Sequence, residues 1–169
     1  PVVIAVVNHK GGTAKTTTAV NLAAALSKGD SEMGIRPRRG LLVDLDPRGN
    51  VATTFGIDKR RLGPTMNELF KGEVDGSSVS LEQCLLNPAQ LTLAMREAWK
   101  RHNPERKRGA PKTMEVRNLW VLPADLDLSG VEIDLATRIG REHRLRLALR
   151  QARGRFDVVI VDTPPSLGL

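Results

Sequence analysis

Four short apolar runs punctuate the chain and predict strands: Val2–Val7, Leu41–Asp46, Leu119–Leu122 and Phe156–Asp162. The first two read as buried on both faces. Between them the apolar positions recur at helical spacing. Ala19, Leu22, Ala23 and Leu26 fall on one stripe of a helix that opens at Lys15 and ends near Ser27. Thr65 with Glu68 three residues later is a capping box ahead of Met66, Leu69 and Phe70. Ser80 with Gln83 repeats it before Leu81, Leu85 and Leu86. Leu128, Val131, Leu135 and Ile139 predict another helix. A last one, Arg141–Arg153, turns Leu145, Ala148, Leu149 and Ala152 inward and Arg146, Arg150 and Arg153 outward. Strands alternating with helices make the fold class α/β.

Two segments break this pattern. Residues 28–40 are rich in glycine and charge and read as a loop. Residues 94–118 place Arg96, Lys100, Arg101, Arg106, Lys107, Arg108 and Lys112 around Trp99, with Pro104 and Pro111 interrupting regular structure. They predict a basic loop or insertion within one domain that spans residues 1–169.

Charge sharpens that picture. The net charge of +7 is concentrated in residues 96–112, with seven Lys/Arg against two acids, and 138–155, with seven Arg against one. Local basicity of this kind suits a polyanion, and Trp99 is available for stacking on a base; a solvated surface is the plainer account of both stretches. At 169 residues, 40% apolar and 27% charged, the chain has the composition of a soluble globular domain. No apolar run approaches the ~18 residues of a membrane span. The single cysteine, Cys84, excludes an intrachain disulfide and a Cys-rich metal cluster, and a reducing cytoplasm fits it.

The chemistry is carried by residues 2–18. A strand, a turn with Gly11 and Gly12, and a helix opening at Lys15-Thr16 make the architecture that cradles phosphate. Backbone N–H groups and the positive end of the helix dipole converge on one anion. Lys15 would reach the β/γ-phosphates and the Thr16 hydroxyl would join the Mg²⁺ shell. The general phosphate-loop pattern has Gly where this chain has His9 and Ala14, but an extra lysine, Lys10, precedes the glycines. The run Lys10-Gly11-Gly12-Thr13-Ala14-Lys15-Thr16 resembles the deviant Walker A motif of the ParA/MinD class of P-loop ATPases.

Two further motifs stand in the order that resemblance requires. Asp44-Leu45-Asp46-Pro47-Arg48-Gly49-Asn50 resembles the second ParA motif, D-x-D-P-Q-G-N, with Arg48 in place of the common Gln. Phe156–Asp162 is an apolar strand ending in an acid, the Walker B design, and Thr163–Gly168 looks like the switch segment that follows it. The resemblance implies a P-loop NTPase-like, doubly wound and mainly parallel sheet with helices on both faces. It implies that residues 10–17 (Lys10, Gly11, Gly12, Thr13, Ala14, Lys15, Thr16, Thr17) hold ATP. Lys10, Lys15 and Asp46 would be catalytic, Lys10 reaching across a dimer interface and Asp46 orienting the attacking water. Thr16, Asp44 and Asp162 would hold Mg²⁺.

The Lys-Thr-Thr-Thr-Ala-Val-Asn-Leu-Ala run and D-P-x-G-N narrow the resemblance to the ParA/Soj branch. That branch implies MgATP-driven homodimerisation, slow hydrolysis, DNA held without sequence preference, and a ParB-type activator, all at the nucleoid in the cytoplasm. Alternatives are a MinD-like or cellulose-synthesis-type relative and a non-hydrolysing nucleic-acid-binding module. A nitrogenase-iron-protein-like reductase is excluded, because its bridging cluster needs more than Cys84. ATPases of this class continue for several strand–helix units beyond Walker B, so residues 1–169 are expected to be an N-terminal portion with an open sheet edge.

Overall fold

The computed structural model describes residues 1–75, 79–106, 109–130 and 143–165. Its strands are β1 (Val2–Val6), β2 (Gly40–Asp44), β3 (Leu119–Leu122) and β4 (Val158–Asp162). They form one sheet in the order β1-β4-β2-β3, and every pairing is parallel. Parallel neighbours cannot be joined by a hairpin, so each crossover runs over a face of the sheet and carries helices with it. The helices are α1 (Lys15–Lys28), α2 (Asn50–Thr54), α3 (Met66–Asp75), α4 (Leu81–Cys84), α5 (Pro88–His102) and α6 (Arg144–Ala148).

Side chains alternate across each strand, and the core divides accordingly. Leu41, Val43, Val159 and Val161 face one layer, where they meet Met66, Leu69, Phe70, Leu81, Ala148 and Ala152. Leu42, Val158 and Ile160 face the other, against Ala19, Val20, Ala23, Phe55 and Leu91. The doubly wound sheet with helices on both faces is therefore present. The predicted stripe of α1 is seated as the spacing required, with Ala19 and Ala23 fully buried and Leu22 and Leu26 partly so. On the first face Trp120 meets Phe156 edge to face, their ring centroids 5.5 Å apart.

The predicted box at Ser80 forms in full on this same face, and the one at Thr65 forms in part, Asn67 standing in for Glu68 as the backbone donor. The Thr65 backbone N–H donates to Glu68 at 2.7 Å while the Asn67 N–H donates to the Thr65 hydroxyl at 3.2 Å. Ser80 and Gln83 exchange the corresponding pair ahead of α4. At the amino-terminal end of the sheet, the Asp157 carboxylate accepts the Arg39 backbone N–H at 2.8 Å and its guanidinium at 3.0 Å. This bond ties the entries of β2 and β4 together.

Three expectations change. β1 is not buried on both faces: Val2 and Val3 are 64% and 61% exposed, because among the described residues β1 pairs with β4 alone and forms an edge of the sheet. The basic segment expected as a loop over 94–118 is helical through His102, as the second half of α5. The missed signal was Asn87 and Gln90, a capping box with Pro88 at the first helical position, which starts a helix whose Leu91 and Met95 point to the core. The last helix is shorter than expected: α6 ends at Ala148 and tightens into a 3₁₀ turn, Leu149–Ala152.

Arg146, Arg150 and Arg153 are exposed, and Ala148 and Ala152 buried, as the pattern predicted. The loop expected over 28–40 is present between α1 and β2, as residues 29–39, pinned by reciprocal backbone bonds between Asp30 and Ile35. The helix expected around Val131, Leu135 and Ile139, the pair Lys107–Arg108, and the Ser166–Gly168 part of the switch lie outside the described residues.

Candidate functional site

The parallel order brings the carboxyl ends of β1, β4 and β2 side by side, the place where open α/β sheets hold their ligands. Val6, Asp162 and Asp44 stand in one row of the register. The chain leaves β1 directly into the glycine turn, so the phosphate loop begins one strand away from Asp162.

That loop is built to leave donors open. Gly12 (φ 73°) and Ala14 (φ 58°) both take left-handed backbone, and Ala14 has no side chain with which to cap α1. An uncapped helix start keeps its first N–H groups available, and no acidic residue in the first turn competes for them. A Cβ built on Gly11 or Gly12 would meet nothing within 4 Å. The concavity is thus open toward an outside group, and a side chain would fill it. The loop is braced from within: Asn8 Oδ1 accepts the Lys10 N–H at 2.9 Å, and the Thr13 hydroxyl donates to the Lys10 carbonyl at 3.1 Å.

Lys15 is buried at 7% exposure, and its ammonium donates to the Lys10 carbonyl at 3.4 Å. One long bond is little for a buried ammonium with three protons. Its charge lowers the pKa of both Asp46 and Asp162, which places it among the acids. The structure therefore gathers Lys15, Thr16, Asp44, Asp46 and Asp162 at one spot. Lys10 is different: it stands exposed on the loop.

The three acids have distinct environments. Asp162 is fully buried, and neither of its carboxylate oxygens has a hydrogen-bond partner. Burial pushes its pKa up; the nearby Thr16 hydroxyl pulls down, Asp46 pushes up, and Lys15 again pulls down. Asp44 is fully buried too, but Oδ1 accepts the Asp46 N–H at 2.9 Å and Oδ2 the Val51 N–H at 3.2 Å. Burial outweighs those two bonds, and with the push from Asp162 its pKa rises to about 7. Asp46 lies just past the strand end at 3% exposure. Burial raises its pKa, but hydrogen bonds from Arg48 more than reverse this and hold it below the usual carboxylate value.

These residues fit a magnesium ion by the chemistry of the donor set. An orphaned, buried carboxylate beside a threonine hydroxyl is a hard oxygen pair, and its desolvation is relieved by a cation. Among the described residues no group of three or more His, Cys, Asp and Glu is arranged to hold a metal by itself. A cation here would take most of its shell from water and phosphate, which is the habit of Mg²⁺.

Sequence reasoning missed the use made of Arg48. It binds Asp46 through Nε, Nη2 and its backbone N–H, and Lys59 Nζ donates to its carbonyl at 2.5 Å. The departure from Gln marked the position, but a bond two residues back along an irregular turn has no sequence periodicity to reveal it. The segment expected to be the switch is anchored at its start by the Thr163 hydroxyl, which donates to the Val6 carbonyl at 2.8 Å. Among the described residues no helix is long and apolar enough to cross a membrane.

Comparison with known proteins agrees with this geometry. A family model described as an AAA domain matches residues 2–169. The chromosome partitioning protein ParA of Myxococcus xanthus is 36% identical over 167 residues, covering 99% of this chain and 46% of that protein. The sporulation initiation inhibitor protein Soj of Bacillus subtilis is 34% identical over 167 residues, covering 99% and 51%. The chain spans about half the length of these curated relatives. Among solved structures, cobyrinic acid a,c-diamide synthase of Mycobacterium smegmatis with bound ADP and magnesium superposes with a TM-score of 0.68 at 37% identity, covering 98% of this chain and 52% of that one. With its glycine loop, its paired strand-end acids and a family match along its whole length, the chain belongs to the AAA domain family and is a P-loop ATPase domain of the ParA/Soj type.

Proposed function

We propose that this site binds ATP with Mg²⁺ and hydrolyses it, and that the ATP-bound protein dimerises and acts in the partition of plasmid or chromosomal DNA. The observation that carries the reading is Asp162, with two buried oxygens and no partner, next to Thr16 and the buried Lys15. A buried, unpaired carboxylate is costly unless a bound cation completes it. When bound, Mg²⁺ neutralises the charge that develops on the phosphates.

The chain's own residues supply the rest. Residues 10–17 direct backbone N–H groups at the phosphates, Lys15 adds its charge there, and Thr16 and Asp162 hold the ion, with Asp44 behind them. Asp46 orients the water whose oxygen bonds to the γ-phosphorus as the bond to the β-phosphate oxygen breaks. Lys10, free of the loop's interior, serves the partner's nucleotide across the dimer. The relatives' names support a segregation role, and so does D-P-x-G-N, which favours it over a MinD-like role. Non-specific DNA, a ParB-like activator and work at the nucleoid in the cytoplasm follow from the same reading.

The test is ATP turnover by the gene's natural product, with and without DNA, beside Lys15→Ala and Asp46→Ala. Lys15→Ala should lose nucleotide binding. Asp46→Ala should keep binding, lose turnover by about 10²-fold or more, and accumulate as a dimer. Equal loss of binding in both variants would refute the separate roles.

A further inference from the structure

Arg48 is the one member of this cluster that the ATPase reading leaves without a task. Its Nε lies 3.0 Å from Oδ1 and 3.1 Å from Oδ2 of Asp46, its Nη2 lies 2.6 Å from Oδ2, and its backbone N–H lies 3.0 Å from Oδ1. A carboxylate offers about four lone-pair sites. Arg48 alone takes both oxygens, from the side chain and the main chain together. An attacking water needs one of them to accept its proton.

We propose that Arg48 is a positioning residue that latches the Asp46 carboxylate in the resting protein, so that ATP hydrolysis waits on release of the latch. The inference rests on the MgATP reading above. The latch is asymmetric: the Asp46 side chain is 4% exposed and that of Arg48 57%. The carboxylate is fixed inside while the guanidinium stands half in water, where an ion pair is screened and easily exchanged.

The backbone on either side of the guanidinium is held. Lys59 grips the Arg48 carbonyl, and Gly49 follows in left-handed conformation with the Ala124 carbonyl behind it. Rotation of the Arg48 side chain therefore frees Oδ2 without loop rearrangement, while the backbone N–H stays on Oδ1. A glutamine at this position, the residue common in the family, carries no charge and cannot bind both oxygens through one fork.

The first measurement needs no nucleotide. In the free protein the Arg48 Nε–H resonance should be displaced from that of a solvated arginine, and Asp46→Asn should return it to the solvated position. The second is steady-state turnover without DNA. Arg48→Gln should raise kcat by about three- to tenfold with KM for ATP unchanged within about twofold. Arg48→Lys, which keeps the charge but loses the fork, should lie between the two. Added salt should raise wild-type kcat and leave the Arg48→Gln variant flat.

A fall in kcat on Arg48→Gln would overturn the inference, since it would make Arg48 a direct participant at the phosphates. Equal kcat in a wild type that does hydrolyse ATP would overturn it as well, leaving the nucleotide reading intact. A wild type that binds no ATP would remove the nucleotide reading and this inference with it.

Discussion

Asp44 and Asp162 face each other as register partners on adjacent parallel strands, both fully buried at the end of the sheet that receives the phosphate loop. Two carboxylates on neighbouring strands repel, and on top of burial the charge of Asp162 makes Asp44 harder to ionise. In the free protein Asp44 meets this by keeping its proton up to about pH 7, against 3.8 in an exposed carboxyl. The folded state thus holds a proton that the unfolded chain gives up. Its contribution to stability is complete below about pH 4 and is lost as the pH rises through about 7.

The urea midpoint of the nucleotide-free protein should therefore fall between pH 5 and pH 8. Asp162 titrates in the same direction. Asp46, Glu68 and Asp157 are shifted down, so their contributions are lost only as the pH drops toward the acid range and do not offset the fall. MgATP should flatten the profile, because the cation replaces the proton. A midpoint that rises from pH 5 to pH 8 without nucleotide would contradict this account.

Asp162→Asn removes the charge but keeps the shape. Nucleotide should still bind through the loop and Lys15, while the gain in ATP affinity on adding Mg²⁺ should shrink by about tenfold or more. Titration with a fluorescent ATP analogue, with magnesium and with chelator, reads the difference. An undiminished magnesium effect would take Asp162 out of the ion's shell.

Gly49→Ala should destabilise the fold near the site. Gly49 has φ 61°, and an added Cβ would stand 2.6 Å from the Ala124 carbonyl oxygen. Backbone strain and a clash with main chain together cost about 2–3 kcal/mol. Urea unfolding measures it; a loss below about 0.5 kcal/mol would show that the turn yields.

Cys84 should be inert while the protein is folded. Burial and the nearby Glu68 charge raise its thiol pKa to about 11. At pH 8 roughly one molecule in a thousand carries the reactive thiolate. Iodoacetamide labelling should track global unfolding; rapid labelling in native buffer would show an open path to the thiol.

The local elements were legible because their signals are local. The capping boxes at Thr65 and Ser80 were readable from residues three apart, and α1 from a stripe at helical spacing. The phosphate loop was readable because a tight turn and an open helix start demand particular residues in sequence. α5 shows the limit: its charged second half hid a helix that starts properly at Asn87–Pro88 and rests on Leu91.

What the sequence determined by itself was the set of elements and the identity of the chemical groups: an anion-binding loop, a buried lysine to come, and three acids at strand ends. Only the tertiary structure decided that β4 lies between β1 and β2, which makes β1 an edge among the described residues and sets Asp162 against Asp44. It alone placed Arg48 on Asp46. Strand order and ion pairing are contacts across space, chosen by packing and by the need to satisfy buried charge, and neither leaves a period along the chain.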